Sequence, residues 1–501
     1  MTTTTESTEP VATREVPPFA VLGVGAIALV AGIGLFAVLG QYGFFGDELY
    51  FLAAGGHHLA VSYADQGPLL PLIAALMDSI APGSLVALRV PALLVTVAGI
   101  VLAAALAREF GGGRGAQLIS AAAYATSPFL FVQGSQLSTN AIDGPLWVLI
   151  TWLLVRWVRT RADVLLVMAG VVTAIDMQVK WLIPFFWICV GISVLVYGPR
   201  DLLRRPALWI GAAITVVAMV PSLLWQAANG WPQLEMGAVV SAEQEAIGGR
   251  LAFVPLALLA AGLLGAILLV YGTVRLFRAE SLRPYGFFGL VVVLLVVAFV
   301  ATGGRSYYAV GIYPVAMAAG GVGLVEARIT WQRIAAIPVI GLSVVLAALS
   351  LPWQPESSIS PSTGGVDLLL HGKFGWSDLA ASTDLAYRAL PEAERARVVI
   401  VAQSYWQAGA LDTYRPQYGW PAVYSPNRGY GYLGTPPDSA TTILYVGGEP
   451  GELRESFGSV TPIGRSDARL GYEGATRDVT IWRCEQPVRP WSQLWLDLRT
   501  M

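Results

Sequence analysis

Two adjacent carboxylates, Asp47 and Glu48, stand in the stretch Gly43-Phe44-Phe45-Gly46-Asp47-Glu48-Leu49-Tyr50, just beyond an uncharged apolar run at residues 19–40. That run is long enough to cross a hydrocarbon layer of about 30 Å, which places both acids at a membrane surface. Leu49, Leu52, Ala53, Leu59 and Ala60 follow at helical spacing and predict a short amphipathic helix in the interface, with Asp47 near its N-terminus. A partly desolvated carboxylate beside a second one is suited to accept a proton near neutral pH, so Asp47 is the candidate base and Glu48 its catalytic neighbour. The competing reading is structural: Asp47 caps the helix and Glu48 complements its dipole.

The cations that could act with such a base are few. Lys180, in Asp176-Met177-Gln178-Val179-Lys180-Trp181, lies at the junction of two apolar runs. It is either a functional charge at membrane depth or a lysine snorkelling beside an aromatic anchor. Arg305, in Gly303-Gly304-Arg305-Ser306-Tyr307-Tyr308, and Arg89 are candidates for phosphate contact, against the alternative of ordinary interfacial arginines. Asp65 and Asp143 could bind sugar hydroxyls or cap helices. His57 and His58 are adjacent, so on a helix they would not share a face. Without HExxH or clustered cysteines, no metal site is expected. Residues 227–250, with Trp231, Glu235, Glu243 and Glu245, read as an amphipathic flap over a lipid-facing cavity or as a plain connection.

The elements that must hold these groups follow from composition. Of 501 residues, 55% are hydrophobic and 13% charged, which points to a polytopic membrane protein. A net charge of −2 gives no electrostatic support for nucleic-acid binding, and two cysteines, Cys189 and Cys484, are too few for a disulfide framework. Residues 1–18 read as a disordered cytoplasmic tail. Apolar runs at 19–40, 85–107, 115–132, 143–158, 163–179, 181–198, 207–225, 251–274, 285–302, 308–325 and 334–351 predict about 11 transmembrane helices, so residues 19–351 form the membrane domain. Residues 68–80 are too short to cross and are expected to re-enter or lie flat.

Loop charges alternate without a break. Arg108 and Arg114, Arg156, Arg159 and Arg161, Arg200, Arg204 and Arg205, Arg275, Arg278 and Arg283, and Arg328 and Arg333 fall on one side; Lys180, Arg250 and Arg305 fall on the other, with Arg89 close by. The positive-rich side is cytoplasmic, so the N-terminus is expected inside and the acid-bearing loop outside. An odd number of spans puts residues 352–501 outside as well. There the composition becomes that of a soluble α/β domain: strands at 398–402, 441–446 and 478–483, helices at 404–414 and 452–457. Gly429-Tyr430-Gly431-Tyr432-Leu433-Gly434 matches a dinucleotide fingerprint by letter only. No clear strand is legible before it and Thr435-Pro436-Pro437 follows where a helix would begin.

An enzyme working outside the cell must draw its activated group from a membrane carrier such as a polyprenyl phosphate. Displacing a phosphate-linked sugar needs a base for the acceptor and cations for the departing phosphate. With those residues in place, the chain resembles the glycosyltransferase family 39 group of the GT-C superfamily, which includes protein O-mannosyltransferases and bacterial aminoarabinose transferases. The matching stretches are Phe45–Tyr50, Tyr63–Leu69, Ser138 through Asp143, Val179-Lys180-Trp181, Leu224-Trp225-Gln226 with Gly230-Trp231-Pro232, and Arg305-Ser306-Tyr307-Tyr308 with Tyr313-Pro314. The resemblance implies an inverting transfer from a polyprenyl-phosphate-linked sugar to a glycan, lipid or protein acceptor, without a separate cofactor. It makes Asp47 the base and Lys180 and Arg305 lipid-phosphate contacts, with Tyr307 and Tyr308 beside them. Family members often carry Pro where this chain has Gly67, a departure expected to affect loop stiffness. The competing function is a transporter or flippase of a lipid-linked substrate. Its ionisable groups would sit near the bilayer midplane in repeated halves, and no internal repeat is evident.

Overall fold

The computed structural model describes residues 16–327, 330–361 and 368–501. Most of the tail expected to be disordered, and Arg328, lie outside the described residues. The last tail residues are held: Arg108 donates to the Pro17 carbonyl at 2.8 Å and Gln117 to the Pro18 carbonyl at 3.2 Å.

The helical half runs α1 Val21–Val38, α2 Gly46–His57, α3 Leu69–Ile80, α4 Leu85–Glu109, α5 Arg114–Ala125, α6 Pro128–Val132, α7 Thr139–Thr160, α8 Val164–Asp176, α9 Ile183–Tyr197, α10 Pro206–Ala228, α11 Pro232–Ala246, α12 Gly249–Arg278, α13 Phe287–Ala301, α14 Tyr313–Glu326 and α15 Thr330–Leu349. Every apolar run anticipated as a crossing is helical, in the expected order. Among the described residues, six helices are long and apolar enough to span a membrane, or seven if α5 and the following Pro128–Ser135, bent by 68°, count as one. α8, α9 and α13, at 13, 15 and 15 residues, rise only about 20 Å each. The protein is a multi-pass, mainly helical membrane protein.

The arginine-rich loops meet at one end of the bundle, where Arg159 pairs with Glu109, Arg161 with Asp201 and Arg275 with Glu326. The candidate residues gather at the other end, under the C-terminal half.

That half comprises α16 Leu368–His371, α17 Trp376–Ala389, α18 Glu392–Arg395, β1 Val399–Ala402, α19 Tyr405–Tyr418, β2 Val423–Tyr424, β3 Thr442–Val446, α20 Pro450–Ser456, β4 Phe457–Ser466, β5 Val479–Pro487 and α21 Trp491–Leu498. Its sheet has the order β2-β1-β3-β5-β4. β1 is parallel to β2 and β3, and β5 is antiparallel to β3 and β4. The three strands read from sequence are central and apolar. β2 and β4 escape such a reading because β2 has two residues and β4 is an edge strand carrying Gly458, Pro462 and Gly464, with an irregular register between the last two.

α2 does not lie open on the membrane surface as its amphipathic pattern suggests. Leu49, Tyr50, Leu70, Leu137 and Ile142 from the helical half share one apolar cluster with Leu379, Ile400, Ala408 and Leu411 from the C-terminal half. Each such large apolar side chain contributes about 1.5–3 kcal/mol on full burial, so α2 is clamped beneath α19.

Candidate active site

Asp47 and Glu48 occupy the first turn of α2, whose N-cap is Phe45. One residue of separation on a helix turns side chains about 100° apart, and the two carboxylates enter different surroundings. Glu48 is fully buried. Arg89 grips it with two hydrogen bonds of 2.8 Å, Nε to Oε1 and Nη2 to Oε2. The amides of Phe45 at 2.8 Å and Leu137 at 2.9 Å donate to it as well. Burial pushes the Glu48 carboxyl up, but the charge and hydrogen bonds of Arg89 and the Phe45 amide outweigh it and hold it below the usual range. Arg89, itself buried, also donates to the carbonyls of Leu39, Gln41 and Gly43.

This corrects two expectations. Glu48 is sealed away from the surroundings of Asp47, and Arg89 has no free face for a phosphate; together they tie the α1–α2 loop to α4 and to Leu137, ahead of α7. Glu48 thus performs the capping considered for Asp47.

Asp47 is partly exposed. Its Oδ1 accepts from the Tyr405 hydroxyl at 2.8 Å and from the Trp406 indole at 2.7 Å, both at the start of α19. Its Oδ2 makes no hydrogen bond among the described residues. The same wall carries Arg428, whose guanidinium lies 5.2 Å from the Tyr405 ring centre. The Asp47 charge acts on Tyr405, Arg428 and Tyr307, so the base candidate and the cationic cluster share one electrostatic environment.

Lys180 follows α8. Its ammonium donates to Asn140 at 2.7 Å and lies 4.4 Å from the Tyr308 ring centre and 5.6 Å from that of Tyr307. Arg305 faces Tyr307 at 5.9 Å. Both cations are partly exposed, and Arg305 repels Lys180, a pairing that an anion between them would relieve. Tyr307 stacks on Phe129 at 4.7 Å.

Asp143 neither caps α7 nor reaches the open site. Ser138 is the cap, and the buried Asp143 carboxylate accepts from Trp147 Nε1 at 3.1 Å while attracting Lys180. Its carboxylate is directed to the Trp147 indole and the charge of Lys180 rather than to open solvent.

Asp65 sits between these groups and accepts from the Tyr50 hydroxyl at 3.1 Å. Burial pushes its carboxyl up to about 6, offset in part by the Tyr50 hydrogen bond and by Arg428. Its loop is pinned at Gly67, where a Cβ would lie 2.1 Å from the Gln178 carbonyl. Leu69 N donates to that same carbonyl at 3.0 Å. The Pro-to-Gly departure therefore serves close approach to the Lys180 turn rather than flexibility.

Three contributors escaped sequence reasoning: Tyr405, Trp406 and Arg428, all more than 350 residues from Asp47. The Gly/Tyr-rich stretch held a partial signal. A Cβ at Gly429 would lie 2.1 Å from the Tyr50 hydroxyl and 2.7 Å from Asp65 Oδ1, so this glycine admits the loop to the site. The adjacent histidines also differ from expectation. His58 is the C-cap of α2 and leaves the helical path, so both rings reach Asp412 Oδ2, His57 at 3.3 Å and His58 at 2.9 Å. Among the described residues, no group of three or more His, Cys, Asp or Glu is placed to hold a metal ion.

Residues 65–225 match the family model described as dolichyl-phosphate-mannose-protein mannosyltransferase. No curated protein sequence matches the chain. Among solved structures, ArnT from Cupriavidus metallidurans bound to undecaprenyl phosphate is similar, with a TM-score of 0.60 at 15% identity over 92% of this chain and 98% of that one. Its apo form gives the same score and identity over 92% and 97%. The oligosaccharyltransferase AglB from Archaeoglobus fulgidus, in complex with an inhibitory peptide and a dolichol-phosphate, has a TM-score of 0.49 at 12% identity over 78% and 63%. The chain shares the fold of ArnT.

Proposed function

We propose that the chain is a membrane glycosyltransferase that moves a sugar from a polyprenyl-phosphate donor to an extracytoplasmic glycan, lipid or protein acceptor, inverting the anomeric carbon. The observation that carries this reading is Asp47: a carboxylate anchored through one oxygen by Tyr405 and Trp406, with the other oxygen unengaged, acting electrostatically on Tyr307, the ring that lies beside Arg305 and Lys180. Asp47 Oδ2 takes the proton of the acceptor hydroxyl as its oxygen attacks the anomeric carbon. The bond from that carbon to the phosphate oxygen breaks on the opposite face, and its electron pair leaves with the lipid phosphate. Lys180 and Arg305 stabilise that growing charge, which is worth more in a site shielded from water. Asp65 borders the sugar. The arginine-rich loops at the far end of the bundle support an outward orientation for this one, and the GT-C fold supports the reaction class.

The test is an assay of purified protein in detergent with short-chain polyprenyl-phosphate sugars. Release of polyprenyl phosphate together with glycosylated acceptor is the expected result. Vesicle-dependent movement of the lipid without product would identify a transporter or flippase instead.

A further inference from the structure

The connection between α10 and α12 contains α11, in which only Pro232, Val240 and Gln244 are buried. Left-handed backbone flanks it on both sides, at Gly230 (φ 81°) and Trp231 (φ 61°) before the helix and at Gly248 (φ 105°) and Gly249 (φ 61°) after it. Three of these four positions are glycine, which adopts this region without steric cost, so the backbone can change direction on either side of α11. From α11, Glu243 reaches into the candidate site, where its two oxygens are divided between two arginines: Oε2 pairs with Arg305 and Oε1 with Arg428. Those arginines come from opposite walls, one after α13 and one from the C-terminal half.

Arg428 is itself held in a left-handed conformation, φ 48°, by the 2.7 Å bond from its amide to the Thr500 carbonyl. Such a conformation is strained for a residue other than glycine and persists where surrounding structure demands it. Two guanidiniums converging on two oxygens of one anion also form the recognition pattern of a phosphate ester.

We propose that Glu243 is a displaceable stand-in for phosphate: α11 is a hinged flap whose carboxylate occupies an anion site formed by Arg305 and Arg428, and the donor's phosphate replaces it as the flap swings away. The inference rests on the glycosyltransferase reading and extends it by adding Arg428 to Lys180 and Arg305 as a third phosphate ligand and by making α11 the gate. With Glu243 bridging, the binding-competent state is only fractionally populated and apparent affinity falls by that fraction. An empty site then keeps its two guanidiniums neutralised until the lipid arrives.

The experiment measures binding of undecaprenyl phosphate to the purified full chain and to Glu243→Gln and Arg428→Gln. Amide exchange across residues 230–249 is followed in the wild type with and without the lipid. Glu243→Gln is expected to bind about tenfold more tightly, Arg428→Gln about tenfold more weakly, and flap exchange to rise on lipid addition. Inorganic phosphate, lacking the chain, is expected to bind about 100-fold more weakly or worse; equal affinity would overturn the assignment to a lipid phosphate. Unchanged or weaker binding by Glu243→Gln overturns displacement. Exchange that falls or stays level in the wild type does the same, independently of whether the variants fold. If sugar transfer proceeds but neither wild type nor Glu243→Gln binds the lipid phosphate, the gate falls and the enzyme reading stands; if transfer is absent as well, both fall.

Discussion

On one side of α2, Glu48 is sealed beneath the α1–α2 loop, with every hydrogen bond directed inward to Arg89 and to backbone amides. On the other side, Asp47 opens onto aromatic donors and partly exposed cations. Both regions combine a carboxylate with arginines, at neighbouring positions of one helical turn. What separates them is completeness. The Glu48 region satisfies its charges internally and resists change, whereas the Asp47 region leaves one carboxylate oxygen unengaged and its two arginines held only by the partly exposed Glu243 of α11. A paired buried charge serves architecture; an incompletely paired one at an opening serves chemistry.

The comparison breaks most readily at Asp47→Asn. Transfer is expected to fall by about 10²–10⁴-fold, with the melting temperature in detergent essentially unchanged; normal turnover would remove Asp47 from the base role. Arg89→Ala should do the reverse. Stranding the Glu48 charge in the interior costs about 3–5 kcal/mol, seen as a large loss of folded protein, while the specific activity of whatever remains folded is retained. A large specific loss of catalysis in well-folded Arg89→Ala would dissolve the distinction between the two regions.

A smaller effect sharpens the open side. Tyr405→Phe deletes one of the two donors to Asp47 Oδ1 and leaves Trp406 in place, so kcat should fall about tenfold, the value of a single hydrogen bond to a charged group. An unchanged kcat would mean that Trp406 alone orients the base.

The smallest effect concerns pH. Asp65 titrates at about 6 in the folded protein against about 3.9 in an unfolded chain. Because the folded value is the higher, its contribution to stability is complete below about pH 4 and is lost as pH rises through about 6. In Asp65→Asn that component should vanish, leaving melting temperature flatter across this window. An identical pH profile in the variant would place Asp65 outside the titrating set.

How much of this was legible beforehand depends on range. The order of apolar helices, the central strands β1, β3 and β5, and the placing of Asp47 at the start of α2 follow from hydrophobic periodicity, a local property. The anchoring of Asp47 does not, because Tyr405 and Trp406 approach it only after the C-terminal half docks. Glu48 and Arg89 looked functional because an acid and an arginine at a membrane surface carry no mark of their burial. The bridge through Glu243 likewise joins α11 to residues 62 and 185 positions away.

By itself, then, the chain's pattern of apolar runs, its alternating arginine loops and the position of its acids determined a helical membrane protein with carboxylates and cations at one end, since each of these depends on composition over a turn or a span. Only the tertiary structure decided which carboxylate is spent on architecture and which stays available. Burial and hydrogen-bond completion are set by partners distant in sequence, and two residues side by side on one helix can be given opposite ones.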